Sequence, residues 1–245
     1  MMDHFGDKTS APTRERQDVL NALCEVAPNT LLRSMQQYDF HCSFHIEKKG
    51  EFTQTQWLNR SEGNPNLSVS GSVTAREIIE GRKWSALFKN GILFNEEVSF
   101  AENTPETSGF VAIVFRSTSD QKQVLIGNWA PNVVSFNEVT LTGTEVVLNF
   151  GGAREVIQHR SEKWTSLWIT WRSEKARTHW YWQIGSLSGH FTSKSTYRVE
   201  DRLAVGGRQN STLHFHGEVL SLDIYKREDT NLRIPNKLIK LICAI

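Results

Sequence analysis

From residue 38 almost to the end of the chain, apolar and polar positions alternate with a period of two. Phe40, Cys42, Phe44 and Ile46 alternate with His41, Ser43 and His45, the signature of a half-buried strand with one apolar face. The same alternation predicts strands over 52–58, 91–100, 109–116, 123–129, 133–137, 145–150, 155–159, 164–172, 178–184, 202–206 and 213–225. Turn residues separate them at Lys89-Asn90-Gly91, Ser117 to Asp120, Thr142-Gly143, Gly151-Gly152, Ser173-Glu174-Lys175 and Gly206-Gly207. Short strands at this spacing, with no helices between them, predict a mainly β chain built as an antiparallel two-sheet jelly-roll sandwich. They exclude a βαβ arrangement. Residues 74–80 are the one further helical candidate in this region, and 238–245 is an apolar closing strand or short helix.

Before residue 38 the pattern differs. Residues 1–12 are polar and contain Pro12, which predicts a disordered tail. Val19, Leu20, Leu23 and Val26 then fall at spacings of three and four, Pro28 interrupts the stripe, and Asn29 or Thr30 caps a second short helix carrying Leu31, Leu32 and Met35. The organisation predicted is therefore a tail over 1–12, a helical extension over 13–37 and one β-sandwich domain over 38–245. The helical stripe either packs on the sandwich or joins copies of the chain into a homo-oligomer.

Composition narrows the class. The 245 residues carry 28 basic and 27 acidic side chains, a balance unlike the basic excess of a nucleic-acid binder. The longest apolar run, Phe110 to Phe115, is far below the ~20 residues of a membrane-spanning helix, so no membrane insertion is expected. The first residues lack the basic and apolar stretches of a signal peptide, and no compartment is assigned. Cys24, Cys42 and Cys243 form no C-x-x-C, so they are read as reduced thiols or as one bridge with one free thiol. Of eight Trp, five lie within 164–182.

That cluster carries the most informative motif. Trp164-Thr-Ser-Leu-Trp-Ile-Thr-Trp171, a polar turn and Arg177-Thr-His-Trp-Tyr-Trp-Gln-Ile-Gly185 resemble the central hairpin of laminin-G-like and concanavalin-A-like sandwiches. Leu203-Ala-Val-Gly-Gly207, a polar loop and Phe215-His-Gly-Glu-Val-Leu-Ser-Leu-Asp-Ile-Tyr225 resemble the end of the same domains. A looser similarity, at Gln123-Val-Leu-Ile-Gly-Asn-Trp129 and Trp168-Ile-Thr-Trp171, is to domains named after farnesoic acid O-methyltransferase. No nucleotide-binding turn accompanies it, so methyl transfer is not expected.

Within the hairpin, Leu167, Ile169 and Trp171 share a face that fills the gap between sheets, while Trp168 and Thr170 point the other way. Trp180 and Trp182 share a face opposite His179 and Tyr181. Six aromatics exceed what one gap holds, so one set is expected on an outer face. Outward rings offer apolar surface to sugars, with polar neighbours for their hydroxyls. The ligand-binding candidates are Trp168, Tyr181, His179 and Arg172, with Trp129 and Asn128 on a nearby loop.

Catalysis is tested against the carboxylate pair that glycoside hydrolases need. The β-glucanase pattern of the concanavalin-A-like fold, Glu-x-Asp-x-x-Glu, is absent: Ser221-Leu-Asp-Ile-Tyr-Lys226 keeps only Asp223. The expectation is a non-catalytic module that recognises a glycan or protein partner. A structural or assembly subunit is second, and a glycoside hydrolase of the same fold, with carboxylates brought together from distant strands, is third. No cofactor is required by the residues. The resemblance implies calcium, for which Asp120 and Asn210 are the candidate ligands. His41 and His45 on one strand, with His214 and His216 on another, form a second candidate metal cluster.

Overall fold

The computed structural model describes residues 40–46, 50–59, 65–79, 83–99, 108–129, 137–174, 177–194, 202–209 and 212–227. The expected tail, the helical extension over 13–37 with its oligomer contacts, the closing segment over 238–245, most of the 133–137 strand, Cys24, Cys243 and Asn210 lie outside these residues. Within them all the regular structure is strand: β1 Phe40–His45, β2 Gln56–Trp57, β3 Leu67–Ile79, β4 Lys83–Ser99, β5 Ser108–Ser117, β6 Gln123–Asn128, β7 Asn137–Leu141, β8 Glu145–Phe150, β9 Ala153–Gln158, β10 Thr165–Glu174, β11 Arg177–Ile184, β12 Leu187–Lys194, β13 Arg202–Val205 and β14 His216–Arg227.

The strands form one continuous antiparallel sheet in the order β12-β11-β10-β5-β14-β4-β13-β6-β7-β8-β9, with β1 also on β14, and β2 and β3 beyond β4. The sheet folds over on itself, so the expected two layers are halves of one nearly closed surface. β4 makes the corner. Its first half pairs with β14 through Ala86 to Lys89, and its second half with β13 through Leu93 to Asn95. Between the halves Asn90 has a φ of 60°, and Gly71 on β3, at φ 76°, lies opposite Gly91. Lys89-Asn90-Gly91, expected to end a strand, instead bends a 17-residue strand round the corner.

The front layer buries Ile113, Phe115, Leu167, Ile169, Trp171, Trp180, Leu222 and Ile224 against Leu125, Val139, Leu148, Phe150, Leu203 and Val205 of the back layer. Each such side chain contributes about 1.5–3 kcal/mol by leaving water. Phe150 of β8 stacks on Trp180 of β11 at 4.5 Å and 23°, which locks layer to layer across the gap.

Two expectations change here. Residues 74–79 of the expected helix belong to β3, where Thr74 to Glu77 pair with Leu87 to Trp84; tertiary pairing overrides a weak local pattern. β12 was not read at all, because its outer position leaves Ser193 as its one buried residue.

Candidate functional site

The register puts Trp168, Thr170 and Arg172 of β10 on the face turned from the core, with Tyr181 beside Thr170 and His179 beside Arg172. That face is not an open aromatic platform. Trp168 and Thr170 are each 5% exposed, and neighbouring Ala112 and Val114 of β5 are buried too. All five Trp of the hairpin are 9% exposed or less, which corrects the expectation of an outward aromatic set; only Tyr181, at 39%, reaches solvent. Arg172 and His179 flank Glu174 at 3.5 and 3.9 Å, and the Tyr181 and His190 rings lie 6.0 Å apart. Trp129 does not join this group. It follows β6 in the back layer, stacked on Phe94 at 3.8 Å, and its indole N–H donates to Glu96. The backbone of Asn128 pairs with Leu203 in the same layer.

The histidine cluster is also corrected. β1 pairs with β14 only over Ser221 to Lys226, so His41 and His45 lie opposite Tyr225 and Ser221, whereas His216 lies opposite Lys89 of β4. The two pairs do not converge.

A different site forms where three connections meet at one end of the sheet. The β5–β6 loop supplies Ser117, Thr118, Ser119 and Asp120; the β7–β8 turn supplies Thr142 and Gly143; the β9–β10 loop supplies Ser161 and Glu162. Together they line a cavity of about 350 Å³, within the ~300–1,000 Å³ typical of small-ligand sites. Its frame is held by buried and half-buried hydrogen bonds. The Gln123 side-chain amide donates to Ser117 Oγ at 2.6 Å and to the Ser119 carbonyl at 2.8 Å, and its oxygen accepts the His216 N–H at 2.8 Å. The Ser117 N–H donates to the Ser161 carbonyl at 2.7 Å, and the Gly143 N–H to the Asp120 carbonyl at 3.0 Å, tying the three connections together. Behind the rim, burial lowers the pKa of His159, which lies 3.2 Å from Thr165 Oγ1.

The electrostatics separate this site from the other acidic positions. Glu138 is clamped by Arg208 through two hydrogen bonds at 2.7 and 2.8 Å. Glu218 is held by Arg76 and Arg116, each at 2.6 Å, and by Ser85. Burial pushes the Glu218 carboxyl up, but the Ser85 and Arg116 hydrogen bonds and the charges of Arg116 and Arg76 outweigh it and hold it below the ordinary range. Asp120 and Glu162 have no ion-pair or side-chain hydrogen-bond partner among the described residues, and both are exposed to the cavity's solvent. Ser161 Oγ, in the wall, is buried without a partner. Calcium takes 6–8 oxygen ligands, and among the described residues no three acidic, His or Cys side chains gather to supply a dedicated set.

Sequence reasoning selected Asp120 as a candidate calcium ligand; its other candidate, Asn210, lies outside the described residues. Glu162 and Ser161 were missed because they sit 42 and 41 residues further along, in a loop with no motif of its own.

No protein-family model matches this chain, and no curated protein matches it in sequence. Solved structures do share its fold. A Trypanosoma rangeli sialidase mutant with trans-sialidase activity superposes with a TM-score of 0.57 at 10% identity, covering 96% of this chain and 38% of that one. The Trypanosoma rangeli sialidase bound to 2,3-difluoro-KDN gives 0.54 at 11%, covering 83% and 32%. Domain 4 of an extracellular GH43 arabinanase from Geobacillus stearothermophilus, in complex with arabinotriose, gives 0.49 at 10%, covering 76% and 91%. The chain thus spans about a third of the sialidase chains, and at these identities the likeness is one of fold. The fold is shared with chains of glycoside hydrolases, against the expectation of a non-catalytic module, and the missing single-strand Glu-x-Asp-x-x-Glu does not bear on carboxylates from separate loops, such as Asp120 and Glu162, which line one cavity.

Proposed function

We propose that the chain acts on glycosides, as a β-sandwich of glycoside-hydrolase type in the laminin-G-like and concanavalin-A-like group, with the sugar held in the loop-end cavity. The observation that carries this reading is the pair of uncommitted carboxylates, Asp120 and Glu162, lining one cavity among five hydroxyl side chains. The hydroxyls of Ser117, Thr118, Ser119, Thr142 and Ser161 match the donor and acceptor demands of a polyol. The likeness to sialidases supports the class of reaction, and the hairpin motif over 164–185 supports the group.

Hydrolysis at such a pair uses one carboxyl group as the acid that protonates the bridging oxygen as its bond to the anomeric carbon breaks. The other carboxylate accepts a proton from water, whose oxygen bonds to that carbon, or attacks the carbon itself before water releases it. One water is consumed and two hydroxyl groups appear. The anomeric configuration of the first product, read by NMR, distinguishes the two routes.

The test is turnover of a panel of aryl glycosides and oligosaccharides by the full chain and by Asp120→Asn and Glu162→Gln. Each variant is expected to keep its melting temperature and lose about a hundredfold or more in kcat. Turnover unchanged in both variants, or none by the parent on any substrate, overturns the reading.

A further inference from the structure

The geometry points to a substrate preference opposite in charge to that of the sialidases sharing the fold: we infer that the loop-end cavity takes uncharged sugar chains and rejects those bearing a carboxylate. This rests on the cavity being the glycoside site proposed above, and concerns which glycoside enters it.

Any formal charge on the cavity's lining is negative, since one carboxyl can hold the proton of the acid while the other is a carboxylate. Asp120 and Glu162 are the only ionisable groups among its lining residues, and neither is neutralised by a described partner. An acidic sugar is ionised at neutral pH and needs a cation or a dense set of N–H donors to replace its water. Two guanidiniums adjoin lining residues in sequence: that of Arg160, before Ser161, is exposed and does not line the cavity, and that of Arg116, before Ser117, is committed elsewhere. It is bound to Glu218 through Nε and Nη2 at 3.0 and 2.6 Å, and it lies over the Trp164 ring at 5.1 Å. Arg208 is likewise committed to Glu138, and Lys122, Arg160 and Lys163 flank the loops in sequence without lining the cavity. What remains suits neutral hydroxyls: the carboxylates accept from them, and buried Ser161 Oγ supplies one further unpaired group. Charge repulsion at such a site screens over about 10 Å at 0.1 M salt, so discrimination should be greatest at low ionic strength.

Matched pairs that share a neutral core make the test. Binding of lactose and 3′-sialyllactose, and of galactobiose and digalacturonate, is measured by saturation-transfer NMR on the full chain at 20 mM and 300 mM salt. At least one neutral member is expected to bind, about tenfold or more tighter than its acidic counterpart at low salt, with the gap shrinking at high salt. In Asp120→Asn/Glu162→Gln the gap is expected to close through gain of the acidic ligand. Equal or tighter binding of the acidic member, binding of neither pair, or a gap unchanged in the double variant each overturns the inference. Binding preference and turnover are separate readouts. A preserved preference without hydrolysis sinks the catalytic reading alone, and hydrolysis of the acidic glycosides sinks the preference alone.

Discussion

Glu218 is 1% exposed and ionised, so its stability depends on partners that no local pattern announces. Arg116 and Arg76 come from 102 and 142 residues away, and nothing around Glu218 in sequence marked it. Removing one partner leaves a buried charge short of compensation. Arg116→Met is expected to lose about 3 kcal/mol in urea unfolding at pH 7. The pH dependence follows from the lowered carboxyl pKa: its stabilisation is complete above the ordinary value of 4.5 and drains away as pH falls through the folded value. His159, also lowered, contributes stability that is complete above 6.5 and is lost in an earlier window below it, because burial favours the neutral ring. Unfolding followed across pH should show Glu218→Gln flattening the lower window and His159→Gln the upper one. A single shared window in both variants would refute the assignment.

At the scale of elements, the β10–β11 hairpin was legible and the β3–β4 hairpin was not. Alternation correctly assigned Leu167, Ile169 and Trp171 to the core and put Trp180 and Trp182 on one shared face, which is also buried, because a strand's period of two is fixed by its pleat. It failed for β3, where Leu67 and Val73 are the buried apolar side chains among the described ones, and for β12 at the far end of the sheet order. A peripheral strand needs few apolar residues. The corner adds its own constraint. A methyl group on Gly91 would lie 2.5 Å from Val73 Cγ2 and 2.6 Å from the Ser72 carbonyl, so Gly91→Ala is expected to cost about 1–3 kcal/mol by thermal unfolding. Trp180→Ala, which empties the centre of the Phe150, Trp171 and Phe191 stack and orphans Ser193 as acceptor of its N–H, is expected to cost about 3–5 kcal/mol.

For the molecule as a whole, the loop-end cavity exists because the folded-over sheet brings three connections to one end. Gln123 is the side chain that braces the β5–β6 connection, reaching Ser117, Ser119 and the β14 backbone at once. Gln123→Ala is expected to reduce stability by only about 1–2 kcal/mol, while raising KM for the best neutral substrate several-fold by loosening the loop that carries Asp120. Loss of stability with KM unchanged would show that Gln123 holds the fold but not the site.

The sequence by itself determined the strand content, the facing of the central hairpin and the near-neutral charge, since period, turn residues and ionisable counts are local properties. It also marked Asp120 as chemically notable. Only the tertiary structure decided that the sheet is continuous and nearly closed, that the hairpin's Trp side chains are buried, and that Asp120 and Glu162 line one cavity. Those outcomes depend on which distant segments lie side by side, and alternation along one strand carries no information about the strand or loop that will face it.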